Sequence, residues 1–152
     1  MQTELTFSFV KPESVMRGFI GEIISRFERK GLLLIAGKLI WMTKEQAEKQ
    51  YEMHKGKPFF QELVSHVTSG PIFVMVWKGP NAIAVVRNLV GATNPATAAP
   101  GTIRGDLAIS VTPNAVHAAD SPENAKREIA IFFTSDELLD YSKPTEREFL
   151  LK

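Results

Sequence analysis

The chain has 152 residues, 44% of them hydrophobic and 23% charged, and its 18 basic and 17 acidic side chains leave a net charge of +1. This is the size and composition of one globular domain with a sizeable core, and the even charge balance argues against wrapping DNA or lying on a membrane surface. No cysteine is present, so disulfides, thiolate metal sites and a cysteine nucleophile are excluded.

The first residues alternate polar and apolar, with Leu5, Phe7 and Phe9 set between Thr6 and Ser8. That is the period of a strand with one buried face rather than a signal peptide, and Pro12 ends it. From Arg17 to Lys30, Phe19, Ile20, Ile23, Ile24 and Phe27 recur at helical spacing, with Gly31 placed to stop the helix. Leu32 to Trp41 lacks a polar helical face and reads as a second strand. Thr43 with Gln46 forms a capping box that opens a helix towards Tyr51.

Pro58 is placed to begin another short helix, which carries Phe59, Phe60, Leu63, Val64 and Val67. After the turn Ser69-Gly70-Pro71, the apolar run Ile72 to Trp77 reads as a central strand buried on both faces. Asn81 to Val90 is helical and Gly91 closes it. Gly91 to Gly105 has no periodicity, and a loop of that length in a compact domain is commonly functional. A fourth strand is expected around Leu107 to Val111. A last helix follows Asp120-Ser121-Pro122, with Ala125, Ile129, Phe132 and Phe133 on its core stripe.

This order predicts a single domain over 1–152, of the α+β class. It is a ferredoxin-like α/β sandwich, with a four-stranded, mainly antiparallel sheet covered by helices on one face. No apolar run approaches the ~20 residues needed to cross a bilayer, and a cytoplasmic location is expected.

Three histidines are candidates for chemistry. His54, next to a turn and two lysines, reads as a solvated surface residue. His66, inside a helix, reads as partly buried and hydrogen-bonded. His117 is followed by Ala118 and Ala119, which leave its ring room to face a cleft; neutral imidazole is a competent nucleophile. Taken alone, His117 still reads more readily as structural. The chain has neither G-x-x-x-x-G-K-[ST] nor G-x-G-x-x-G, so bound phosphates would have to be held by side chains. Lys11, Arg87 and Arg104 are cations in unusual places, although each by itself reads as a solubilising charge. Phe59, by itself, reads as core.

Together these segments resemble the nucleoside diphosphate kinase family. The resemblance is carried by Asn114-Ala115-Val116-His117-Ala118-Ala119-Asp120-Ser121 and by Asn94-Pro95 followed by Pro100-Gly101-Thr102-Ile103-Arg104-Gly105-Asp106. Val10-Lys11-Pro12-Glu13 with Arg17-Gly18, Lys57-Pro58-Phe59-Phe60 and Ser69-Gly70-Pro71 support it, in the family's order from about residue 5 to about residue 141. The resemblance implies ping-pong transfer of the γ-phosphate of ATP, or another triphosphate, to a nucleoside diphosphate through a phosphohistidine on His117. It implies that Glu128 orients the imidazole. Lys11, Tyr51, Arg87, Thr93, Arg104 and Asn114 would hold phosphates and sugar. Phe59 would stack on the base with Val111 on its other side. Mg2+ would arrive on the phosphates, met by Asp120 through water.

Two departures from the family's pattern stand out. Ala119 occupies a position where the family usually has serine, and Glu13-Ser14 replaces Asp-Gly. The first motivates an alternative, a non-catalytic nucleotide-binding regulator on the same fold. An RNA-binding module ranks last, because clustered aromatics on central strands are missing and the charge is balanced; no nucleic acid is expected to be needed for activity, and no membrane partner is expected. The resemblance also implies a homo-oligomer. A hexamer is favoured over a tetramer, with the Asn94 to Gly105 loop at its contacts and the tail from Ser142 to Lys152 reaching a neighbour.

Overall fold

The structure is a computed structural model that describes residues 3–143. Strand β1 (Thr3–Val10) leads into a short helix α1 (Pro12–Met16) and then α2 (Ile20–Lys30), β2 (Leu33–Ile40), α3 (Lys44–Gln50) and α4 (Phe60–Val67). Strand β3 (Ile72–Pro80), α5 (Ala82–Val90), α6 (Ile103–Leu107), β4 (Val116–Ala118) and α7 (Pro122–Phe132) complete it. The sheet order is β2-β3-β1-β4 and every neighbouring pair is antiparallel. β1 and β2 therefore run parallel with β3 between them, and β3 and β4 run parallel with β1 between them. These are the two split βαβ halves of a ferredoxin-like sheet.

Several local signals act as the sequence suggests. Thr43 and Gln46 make both bonds of the capping box, Gly31 adopts φ 110 at the end of α2, and Ser121 accepts from the Asn124 N–H with Pro122 in the first turn of α7. β3 lies between two strands and is buried along most of its length.

Helices cover both faces of the sheet, not one. Alternate side chains of β3 enter two separate apolar clusters. Ile72, Val74 and Val76 join α3, α4 and α7 residues, whereas Met75 and Trp77 join Ile23 and Phe27 of α2 and Val86 of α5. For the same reason β1 has no solvated face. Thr6 lies across from Trp77, and Thr6 and Ser8 are both fully buried beneath the second layer. Short polar side chains there do not mean solvent.

The fourth strand is not at Leu107 to Val111. Thr102 caps α6 by accepting from the Gly105 N–H, and the helix takes up Ile103–Leu107. The residues beyond run over the surface, leaving Ile109 and Val111 exposed. The strand is instead Val116–Ala118, too short for its period to register in the sequence. Pro58 also lies two residues before α4, with Phe59 at the N-cap. The tail expected to reach a neighbouring copy lies, from Pro144 onward, outside the described residues. No helix among the described residues is long and apolar enough to cross a membrane.

Candidate active site

β4 pairs with β1 so that His117 lies opposite Phe9. Val116 and Ala118 enter the α2–α5 layer, which turns His117 towards α3 and α7. The imidazole stacks on Phe9 with centroids 4.9 Å apart, and Tyr51 meets it edge-on. Its Nε2 is hydrogen-bonded to Oε1 of Glu128, a buried carboxylate on α7. A carboxylate only accepts, so Nε2 carries the proton and the lone pair of the neutral ring is on Nδ1. The chain approaches His117 through Ala115 at φ 75, a strained conformation for a residue with a Cβ. Three hydrogen bonds hold that turn: the Ala115 N–H donates to Glu13 Oε1 at 2.9 Å, the Lys11 N–H to the Ala115 carbonyl at 3.0 Å, and the Val116 N–H to the Asn114 carbonyl at 2.9 Å.

Lys11 follows β1 directly and is 5% exposed. Its Nζ donates to the Thr112 carbonyl at 3.0 Å. Burial lowers its pKa to about 8; Arg104 pushes the same way and Glu13 opposes. Arg104, 4% exposed, donates to the carbonyls of Asn114, Gly91 and Val116 at 3.3, 3.1 and 2.9 Å. Burial and then Arg87 lower its pKa to about 10. These carbonyls fix the guanidinium without neutralising it. Arg87 on α5 reaches the Ala118 carbonyl at 3.2 Å. Three cations thus converge near one imidazole. That arrangement repels itself unless an anion joins it, and it suits the oxygens of a polyphosphate.

The site lies in a cavity of about 920 Å³, and every residue singled out in the sequence for a catalytic, nucleotide or metal role lines it. Phe59 and Val111 are exposed apolar side chains at its rim, on the α3–α4 and 108–115 segments. The Thr112 hydroxyl donates to Glu62 at 3.0 Å and joins these two segments. Asn114 donates to the Thr93 carbonyl at 3.0 Å, leaving its buried Oδ1 without a hydrogen-bond partner among the described residues. The Tyr51 hydroxyl is likewise buried and unpartnered there; burial, followed by the charges of Glu128 and Glu13, raises its pKa. Asp120 accepts from Asn124 at 2.6 Å, and that bond, the largest influence on it, helps to hold its pKa below the usual carboxylate range.

A sequence model described as "Nucleoside diphosphate kinase" matches residues 4–138. The chain is 58% identical over 144 residues to a nucleoside diphosphate kinase of Halalkalibacterium halodurans, covering 95% of this chain and 98% of that one. It is 56% identical over 143 residues to one of Archaeoglobus fulgidus, covering 94% and 95%. The chain belongs to the nucleoside diphosphate kinase family. Its fold matches the solved nucleoside diphosphate kinase of Halobacterium salinarum in complex with CDP, with a TM-score of 0.93 at 46% identity and coverage of 97% of this chain and 98% of that one. A family protein from Babesia bovis gives 0.92 at 46%, covering 95% and 98%.

Against the family's pattern, the Ala119 methyl is buried in the apolar cluster, and its N–H donates to the Phe7 carbonyl at 3.0 Å. His54 is not a free surface residue. It lines the cavity, meets Phe59 edge-on at 5.1 Å and stacks on Tyr51. Burial and then Lys57 lower its pKa. His66 is partly buried and bonded to Glu13 at 2.7 Å, as its helical position suggests. Gln50, Glu62 and Asn124 were not singled out in the sequence. Only the helix register of Gln50, three residues beyond the buried Ala47, gave a hint, since that spacing puts both on the inner face of α3.

Proposed function

We propose that this chain is a nucleoside diphosphate kinase that carries the transferred phosphoryl group on His117. The observation that carries the reading is the Nε2–Glu128 pair, which leaves the Nδ1 lone pair as nucleophile among Lys11, Arg87 and Arg104. In the first half-reaction Nδ1 attacks the γ-phosphorus of a triphosphate such as ATP. The N–P bond forms as the bond to the β–γ bridging oxygen breaks, and the diphosphate leaves with that electron pair. The ring's developing positive charge is shared with Glu128 through the Nε2 proton. A terminal β-phosphate oxygen of a second nucleoside diphosphate reverses the step. Little covalent chemistry is asked of the protein beyond position and charge.

Lys11, Tyr51, Arg87, Thr93, Arg104 and Asn114 would hold phosphates and ribose. Phe59 and Val111 would flank the base, a contact that tolerates any base because all have a π-face. Transfer between nucleotide phosphates generally needs a divalent cation, and here we propose Mg2+ carried on the phosphates. Bound there, Mg2+ would neutralise charge on the β- and γ-phosphates and fix their geometry. The exposed, ionised Asp120 on the cavity wall fits a water-mediated contact to a cation held mainly by phosphate.

The whole of 1–152 acting as one catalytic domain, and a cytoplasmic location, belong to the same proposal. So does assembly into a homo-oligomer, a hexamer before a tetramer. Exposed Leu39 and Trp41 at the β2 edge and Ile109 beside the long loop support association, and sedimentation measures its order.

The test is incubation with γ-labelled ATP, removal of nucleotide, then addition of GDP. An acid-labile phosphoenzyme should form and yield labelled GTP, and a His117→Ala variant should take up no label. Saturable ADP binding without label transfer would favour the regulator instead.

A further inference from the structure

Gln50 ends α3 and is 1% exposed. Its side-chain Nε2 donates to Oε1 of Glu128, the same oxygen that takes the His117 ring proton. The amide nitrogen also lies 3.1 Å from His117 Nε2. Both nitrogens are donors once the carboxylate is ionised, so this contact is two N–H groups converging on one oxygen rather than a bond between them.

The amide's own oxygen is buried and has no hydrogen-bond partner among the described residues. Turning the amide over would not relieve this, because the oxygen would then face the Glu128 carboxylate. The fold leaves an acceptor unmade in order to keep an N–H on Glu128. Such an orphan in a native interior calls for an explanation. The cavity supplies one, since Gln50 lines it together with His117 and Glu128. The main chain is anchored to the same helix. Arg127, next to Glu128 on α7, donates to the Lys49 carbonyl at 2.7 Å and the Gln50 carbonyl at 3.3 Å.

We propose that Gln50 is a positioning residue for phosphoryl transfer: its amide fixes the Glu128 oxygen against His117 Nε2 and so selects the ring tautomer that presents Nδ1. The inference rests on the phosphohistidine reading of His117. Glu128 without Gln50 has one donor where it had two, and its side chain regains freedom to swing from the ring. The nucleotide's own ligands are untouched, so the effect belongs to the transfer step.

Two variants separate this from a packing role. Gln50→Leu removes the donor, and Gln50→Glu keeps the shape but replaces the donor with an acceptor. Rapid-quench measurement at pH 8 should give phosphoenzyme formation about 3- to 30-fold slower in both, with the KM for ATP within about twofold of wild type. Nitrogen-detected NMR of the imidazole should show the Nε2–H tautomer in the wild type and a mixture in both variants. A wild-type rate and tautomer in Gln50→Glu would overturn the proposal. So would a loss in Gln50→Leu alone that tracks a fall in Tm and a rise in KM. If the wild type forms no phosphoenzyme, the phosphotransferase reading fails, while the NMR comparison still decides whether Gln50 sets the tautomer.

Discussion

Lys11 is a buried cation on the wall of the cavity that the proposed polyphosphate would enter, and its two states separate within an accessible pH range. Burial and Arg104 bring its pKa to about 8 against an ordinary 10.5. Above that pH the empty site loses a positive charge, so ADP binding should weaken by about tenfold between pH 7 and pH 9, less whatever a bound phosphate draws back. Calorimetric titration measures this, and the Lys11→Met variant should show a shallower pH dependence. Stability follows the opposite course. Between pH 8 and 10.5 the unfolded chain holds the lysine proton and the folded chain does not, so stability from this group rises with pH through that window. Denaturant titrations of wild type and Lys11→Met should differ in slope with the wild type the steeper. Equal slopes would mean that Lys11 is not desolvated. This pKa is not legible in the local sequence, because it depends on a wall of residues closing over the amine and on Arg104, 93 positions away.

At the scale of elements, what was legible followed from local chemistry. The capping box at Thr43, the stop at Gly31, the Pro122 start of α7 and the apolar run of β3 each operate within a few residues. What was missed depended on competition between distant segments. Leu107 to Val111 alternates like a strand, yet the place beside β1 is taken by the three residues around His117. The family motifs named many of the residues that line the cavity, but not Gln50, Glu62 or Asn124; the first two make their contacts where α3 and α4 meet α7 and the 108–115 segment.

The element that carries Arg104 can be tested directly. A Cβ on Gly105 would lie 2.1 Å from the Ala99 carbonyl oxygen and 2.8 Å from the Thr102 hydroxyl that caps α6. Backbone cannot yield as a side-chain tip can. Gly105→Ala should therefore cost about 1–3 kcal/mol in urea denaturation and raise the KM for ADP by displacing the guanidinium. Gly21 faces open space within α2, and Gly21→Ala should stabilise by roughly 0.5–1 kcal/mol with KM unchanged. A destabilised Gly105→Ala with an unaltered KM would detach α6 from nucleotide binding.

At the scale of the whole molecule, the cavity is a gap between two walls on one sheet. The α3–α4 segment brings Tyr51 and Phe59, the residues after α5 bring Arg104, Asn114 and Val111, and β1 with β4 forms the floor. Glu62 to Thr112 is a direct hydrogen bond from one wall to the other. A nucleotide reaching from Phe59 to Arg104 would tie them a second time and bind only the folded chain. At 100 times its Kd, such a ligand adds about 2.7 kcal/mol to stability, which for a chain of this size corresponds to roughly 5–10 °C in Tm. ADP should produce that rise in scanning calorimetry, and Phe59→Ala should lose much of it at the same ADP concentration, because the base no longer grips its wall. His117→Ala should retain most of it, since in the proposed reaction the imidazole would meet the transferred phosphoryl group rather than anchor the diphosphate. If instead His117→Ala abolishes the rise while Phe59→Ala preserves it, the nucleotide does not span the two walls in the orientation proposed.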